Sequence, residues 1–150
     1  MSRDVFCLAI GLALAGCFKA APRTQESAMC IGSNTNATVD TAKIAARSWL
    51  DSVDREKYPE SWDAAAKAFQ RAVSRDNWTS SVAAARGPFG TLLSRQLRSA
   101  EYATSLPGAP DGKYVVIQFD ASFEKAQAVE TVTPMQEDDG TWKVSGYFIR

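Results

Sequence analysis

Residues 114–135, YVVIQFDASFEKAQAVETVTPM, read as two strands joined at Glu124-Lys125. β-branched and aromatic residues alternate with polar ones on both sides of that pair, the period-2 pattern of a half-buried strand. A two-residue turn at Glu124-Lys125 sets Ala121 opposite Ala128, Phe119 opposite Glu130 and Ile117 opposite Val132.

The next turn is Asp138-Asp139-Gly140. A two-residue version would put Trp142, Val144 and Phe148 on the face away from Ile117 and Phe119. A three-residue loop with Gly140 left-handed puts Trp142, Val144, Gly146 and Phe148 on the same face as Ile117, Phe119 and Val132. The second arrangement gives one coherent apolar face and is the one expected. Strands are therefore expected at about 92–105, 113–123, 126–136 and 141–149.

That apolar face holds one carboxylate, Glu130, between Phe119 and Phe148. An isolated charge there costs several kcal/mol, so the carboxylate is paired, neutralised or open to a pocket. One reading is an ion pair with an arginine such as Arg98. The other is an acid lining a ligand cavity, with Tyr102 as hydrogen-bond donor and Phe119 and Trp142 as further walls. The opposite face mixes Tyr114, Val116, Val129, Met135, Tyr147 and Ile149 with polar residues, which suits a homodimer or a partner protein.

Upstream of the strands the period becomes helical. Residues 38–54 carry Ile44, Ala45, Ser48, Trp49 and Val53 on one stripe, with Thr38 or Asp40 as cap. A second helix is expected from Pro59 to Ser74, burying Trp62, Ala65, Ala66, Phe69 and Val73. A third begins at Ser74-Arg75-Asp76-Asn77 and stops at Gly87-Pro88. The fold class that follows is α+β, three N-terminal helices packed on a curved four-stranded antiparallel sheet.

The first 37 residues are of another kind. Val5 to Gly16, VFCLAIGLALAG, is uncharged but shorter than the roughly 20 apolar residues that span a bilayer. It has the length of a signal-peptide core. Leu14-Ala15-Gly16-Cys17 resembles a bacterial lipobox, which implies cleavage after residue 16 and a lipid on Cys17. Phe18 rather than Asp follows, a pattern that resembles sorting to the outer membrane in Gram-negative cells. Residues 17–37 read as anchor and flexible linker, and 38–150 as one α+β domain. The expected location is the cell envelope, with the membrane as partner through Cys17.

Composition removes several functions. Seventeen basic residues balance seventeen acidic ones without a basic face, so nucleic acid is not an expected partner. There is no histidine, which removes Ser-His-Asp and Cys-His chemistry and the usual zinc sites. No metal, cofactor or catalytic residue is expected. With Cys7 in the signal and Cys17 lipidated, Cys30 has no intramolecular partner. LPGAPDGK (106–113) contains G-x-x-x-G-K but is one residue short of a phosphate loop and is followed by Tyr114 in a strand, so it is a turn.

The stretches AARSWLDSVDREKYPESWDAAAKAF (45–69), RGPFGTLLSR (86–95), LPGAPDGKYVVIQFDASF (106–123), AVETV (128–132) and GTWKVSGYFIR (140–150) resemble a bacterial family known as domain of unknown function 4019. The element order is similar to the nuclear transport factor 2-like, cystatin-like cone. That resemblance implies helices over the concave side of the sheet and often a pocket between them. It transfers no catalytic residues. The functions it leaves open are a ligand- or partner-binding envelope lipoprotein, a dimerising structural protein, or a histidine-free acid/base enzyme in the cone.

Overall fold

A computed structural model describes residues 27–150, with side chains from Thr35 onward. Residues 1–26, including the expected signal peptide and Cys17, lie outside the described part. The elements are α1 (Ser27–Asp54), α2 (Tyr58–Asp63), α3 (Lys67–Ala72), α4 (Arg75–Arg86), a 3-10 turn at Gly87–Phe89, and strands β1 (Leu92–Ala103), β2 (Tyr114–Phe123), β3 (Gln127–Gln136) and β4 (Trp142–Ile149). The strands form one antiparallel sheet in the order β1-β2-β3-β4, with the helices before it in the chain. This is the expected α+β class. No helix among the described residues is long and apolar enough to cross a membrane.

α1 begins eleven residues before Thr38, so residues 27–37, expected within the linker, are helical. Its buried stripe is Ala42, Ala46, Trp49, Leu50 and Val53. Ile44, expected on that stripe, is 70% exposed. Two residues advance a helix by about 200°, which turns Ile44 away from the face that buries Ala42 and Ala46.

The expected helix 59–74 is broken in two. Ala64-Ala65-Ala66 would favour helix by propensity, but Ala66 is extended (φ −63°, ψ 149°) and donates its N–H to Val144 O at 2.8 Å. The bond occupies an acceptor on the free edge of β4, so tertiary pairing overrides the local preference. Lys67 N–H, the next donor, is accepted by the Glu137 carboxylate at 2.7 Å. α4 starts as expected, with Ser74 Oγ accepting from Asn77 N–H at 3.3 Å.

Tryptophans set the helix layer. Trp49 Nε1 donates to Ser61 O (2.7 Å) and Trp78 Nε1 donates to Ser61 Oγ (2.9 Å), while Ser61 Oγ–H donates to Tyr58 O (2.7 Å). Ser61 is fully buried, and these bonds satisfy a hydroxyl that would otherwise oppose folding. The Trp78 ring stands edge-on to Phe69 at 5.0 Å and lies 5.6 Å from Trp49.

The β2–β3 register is the expected one, with Ala121, Phe119 and Ile117 opposite Ala128, Glu130 and Val132. Gly140 is left-handed (φ 83°) and its N–H bonds Glu137 O, as the three-residue turn requires. Trp142 and Val144 accordingly face the core.

Beyond Val144 the register shifts. Pro134 pairs with Val144, but Thr133 pairs with Gly146, so Ser145 is an extra residue on β4. Pro134 has no N–H for the ladder, and Ser145 Oγ donates to Thr133 O instead (2.8 Å). The bulge reverses the side chains that follow. Tyr147 lies opposite Val132 and Ile149 opposite Glu130, both on the core face, whereas Phe148 is opposite Thr131 and 58% exposed. The expected placement of Gly146 and Phe148 inside, and of Tyr147 and Ile149 outside, is corrected by this one bulge.

The helices pack on the face carrying Val115, Ile117, Phe119, Val132, Trp142 and Val144. On the other face Tyr114 is also buried, because residues 104–113 fold over it: its hydroxyl donates to Pro110 O at 2.7 Å and Gly112 lies against its ring.

Candidate functional site

Four charged side chains from four elements meet where the end of α1 crosses the sheet. Asp54 is the last residue of α1, Arg86 the last of α4, Arg95 lies on β1 and Glu130 on β3. Each is placed by a local feature. α1 ends with Glu56 left-handed (φ 58°) and Lys57 N–H bonded to Ser52 O, a Schellman-type stop that leaves Asp54 in the last turn. Gly87-Pro88 ends α4 just after Arg86. Arg95 faces inward opposite Ala121, between two register shifts on β1.

The geometry is closed. Arg86 Nη1 donates to Glu130 Oε1 (2.9 Å) and Nη2 to Asp54 Oδ1 (2.7 Å). Arg95 Nε donates to Glu130 Oε2 (2.6 Å), and its Nη1 and Nη2 form a fork on Asp54 Oδ2 and Oδ1 (2.7 and 2.9 Å). Tyr147 O–H donates to Glu130 Oε1 (2.6 Å) and accepts from Arg86 Nη1 (3.2 Å). Two carboxylates and two guanidiniums cancel, and Glu130 has no exposed surface. The arginines also stack: Arg86 lies 5.2 Å from the Phe123 ring centre and Arg95 6.0 Å from that of Phe119.

Burial alone would lower both guanidinium pKa values. Tyr147, Glu130 and Asp54 outweigh it for Arg86, and hydrogen bonds to Asp54 and Glu130 outweigh it for Arg95, so both stand above the usual arginine value. Burial, then the Glu130 charge, pushes the Tyr147 phenol above its ordinary 10.0. The stability this carries is complete below about pH 10, where the unfolded phenol is still protonated, and falls as pH rises beyond it. Tyr147→Phe is expected to cost about 1–3 kcal/mol at neutral pH and to flatten the alkaline decline above about pH 10. Urea melts at pH 8 and pH 10.5 read both effects, and an unchanged alkaline slope contradicts the assignment.

A cleft of about 430 Å³ opens beside this cluster, with Val53, Asp54, Tyr58, Arg86, Gly90 and Thr91 among its walls. Its size falls in the range of small-ligand sites. Gly90 is left-handed (φ 77°), and a Cβ there would lie 2.9 Å from Glu124 Oε2, which accepts from Thr91 N–H (3.0 Å). The rim is thus pinned to the β2–β3 turn. A shallower hollow of about 610 Å³ lies between β1, β2 and β3, bounded by Ser94, Gln96, Arg98, Asp120, Ser122 and Arg150.

Of the residues expected to form a pocket, Phe119 and Glu130 are cross-strand neighbours, while Tyr102 and Trp142 stand elsewhere on the sheet. Phe119 and Trp142 are core residues, and Tyr102 lies opposite Val115, four positions along β2 from the Phe119–Glu130 pair. Neither cavity is lined by Tyr102, Phe119, Glu130 or Trp142. Glu130 is ion-paired, but to Arg86 and Arg95. Arg98, suggested as its partner, meets Asp120 at 3.4 Å where both are half-exposed. The phenol that reaches Glu130 is Tyr147, through the β4 bulge. Asp54, Arg86 and Arg95 carried no signal in spacing, since each reaches the cluster by a separate element. No group of three or more acids or cysteines is placed to hold a metal among the described residues.

Residues 45–147, which contain all four cluster residues and the cleft, match the family described as Protein of unknown function (DUF4019). The chain belongs to that family. No curated protein and no solved structure matches it. The family match thus spans α1 from Ala45 through β4 to Tyr147, the part of this DUF4019 chain in which helices and sheet are joined.

Proposed function

We propose that this DUF4019 protein is a lipid-anchored protein of the bacterial cell envelope that binds a small ligand in the cleft beside Asp54 and Arg86, without transforming it. One observation carries the binding part. Glu130, the acid whose position most invited acid/base chemistry, has both oxygens engaged by arginines and a phenol, while the open volume reaches Arg86 and Asp54 and not Glu130. A fully buried carboxylate held at both oxygens is not presented to a ligand in that cleft. The cluster supplies a rigid wall, and the cleft supplies space.

The anchor rests on Val5–Gly16 and the Leu14-Ala15-Gly16-Cys17 pattern. Its consequence is an envelope location, with the domain carried on α1 and a short tether. Helices over one sheet face also support the cone-like reading. The intact mass of the full-length protein from its host's membrane fraction tests the anchor. The expected species starts at Cys17 and carries acyl chains, and it disappears with Cys17→Ser. A non-acylated species with another N-terminus contradicts the anchor. Self-association through the outer sheet face is a second reading, favoured by exposed Phe148 there.

A further inference from the structure

The proposed cleft is lined by an arginine whose donors are not all engaged by protein groups among the described residues. A guanidinium has five N–H donors. Arg86 uses Nη1 on Glu130 and Tyr147, and Nη2 on Asp54; its Nε makes no hydrogen bond among the described residues. Every buried side-chain nitrogen and oxygen among those residues has a partner. Nε, lacking one, must therefore touch solvent, although Arg86 is only 6% exposed and lines the cleft. A further donor flanks the same space. The Tyr58 phenol lines the cleft and makes no side-chain hydrogen bond among the described residues, whereas Thr91 is held to the Glu124 carboxylate through its backbone and side chain.

We propose that the cleft takes a carboxylate group, received by the Nε edge of Arg86 and by the Tyr58 hydroxyl. This deepens the binding reading above and rests on it. A buried guanidinium with its remaining groups fixed is preorganised for a planar acceptor pair, so little side-chain freedom is lost on binding. Asp54 and Glu56 also line the cleft, as does Arg55, which pairs with Asp51 at 3.0 Å. A lining of two carboxylates and two guanidiniums suits a single negative charge better than a dianion. The ligand class is thus a small monocarboxylate, or the carboxylate end of a molecule of similar size.

The test titrates the full chain, isotope-labelled, with sodium acetate, acetamide, sodium chloride and inorganic phosphate, following the Arg86 Nε–H and the Gly87 and Gly90 amide signals by NMR. Saturable shifts with acetate, weaker with phosphate and absent with acetamide and chloride, are expected. Tyr58→Phe should weaken acetate about two- to tenfold with the remaining spectrum unchanged, and Arg86→Lys should abolish saturation. Equal response to acetate and acetamide overturns the carboxylate assignment and leaves the cleft as a ligand site. Equal response to acetate and chloride overturns it as ion binding without a fork. No response at the cleft to any of the four overturns both the carboxylate and the cleft reading. Tyr58→Phe, lying outside the four-residue cluster, keeps the test decisive if Arg86→Lys fails to fold.

Discussion

Glu130→Ala lowers the unfolding free energy by about 3–5 kcal/mol, the cost of removing one partner from a buried ion pair. The Ala leaves Arg86 and Arg95 facing Asp54 alone, so two largely buried guanidiniums share one carboxylate. Tyr147 O–H loses its acceptor as well. Because the four side chains come from α1, α4, β1 and β3, the loss falls on the junction between the helix layer and the sheet. Urea denaturation followed by tryptophan fluorescence reads it, since Trp49 and Trp78 both lie within about 6 Å of the Tyr147 ring. A loss under about 1 kcal/mol would mean that the pairs merely offset their desolvation and that neighbouring water takes over.

Phe119→Ala is expected to cost a similar amount, about 3–5 kcal/mol, by a different route. Phe119 is fully buried on β2, opposite Leu97 on one side and Glu130 on the other, and its ring lies beneath the Arg95 guanidinium. Truncation opens a cavity that the closed cluster above it resists filling. It should leave the cleft intact, because Phe119 is not among its walls. Denaturation midpoints give the stability, and acetate shifts at Gly87 and Gly90 report on the cleft. Lost acetate binding in a folded Phe119→Ala protein would return Phe119 to the ligand site.

Most of the sheet was legible in the sequence because turn chemistry sets register. Glu124-Lys125 and Asp138-Asp139-Gly140 each placed their strands correctly, as far as Val144. The error at Phe148 had a visible source: Pro134 sits inside a strand with a neighbour on both sides, and a missing N–H there invites a bulge. The helix break at Ala64–Ala66 left no local trace, because three alanines favour helix and only the β4 edge opposes them. The cluster divides in the same way. Glu130 stood out as a charge on an apolar face. Its partners did not, since Arg86 ends a helix and Arg95 lies between two register shifts that hide the inward side of β1. The cleft was invisible for the same reason, being formed by residues from α1, α2, α4 and β1 that no single stretch brings together.

The bond between Arg86 and Glu130 should join the two energetically. A double-mutant cycle with Arg86→Gln, Glu130→Gln and the pair, each measured by urea denaturation at pH 7, tests it most directly. The structure predicts a coupling of about 2–3 kcal/mol, with the double variant far less destabilised than the sum of the single ones. Additive losses, with a coupling within about 0.5 kcal/mol of zero, would contradict the closed cluster and reopen Glu130 as a free acid.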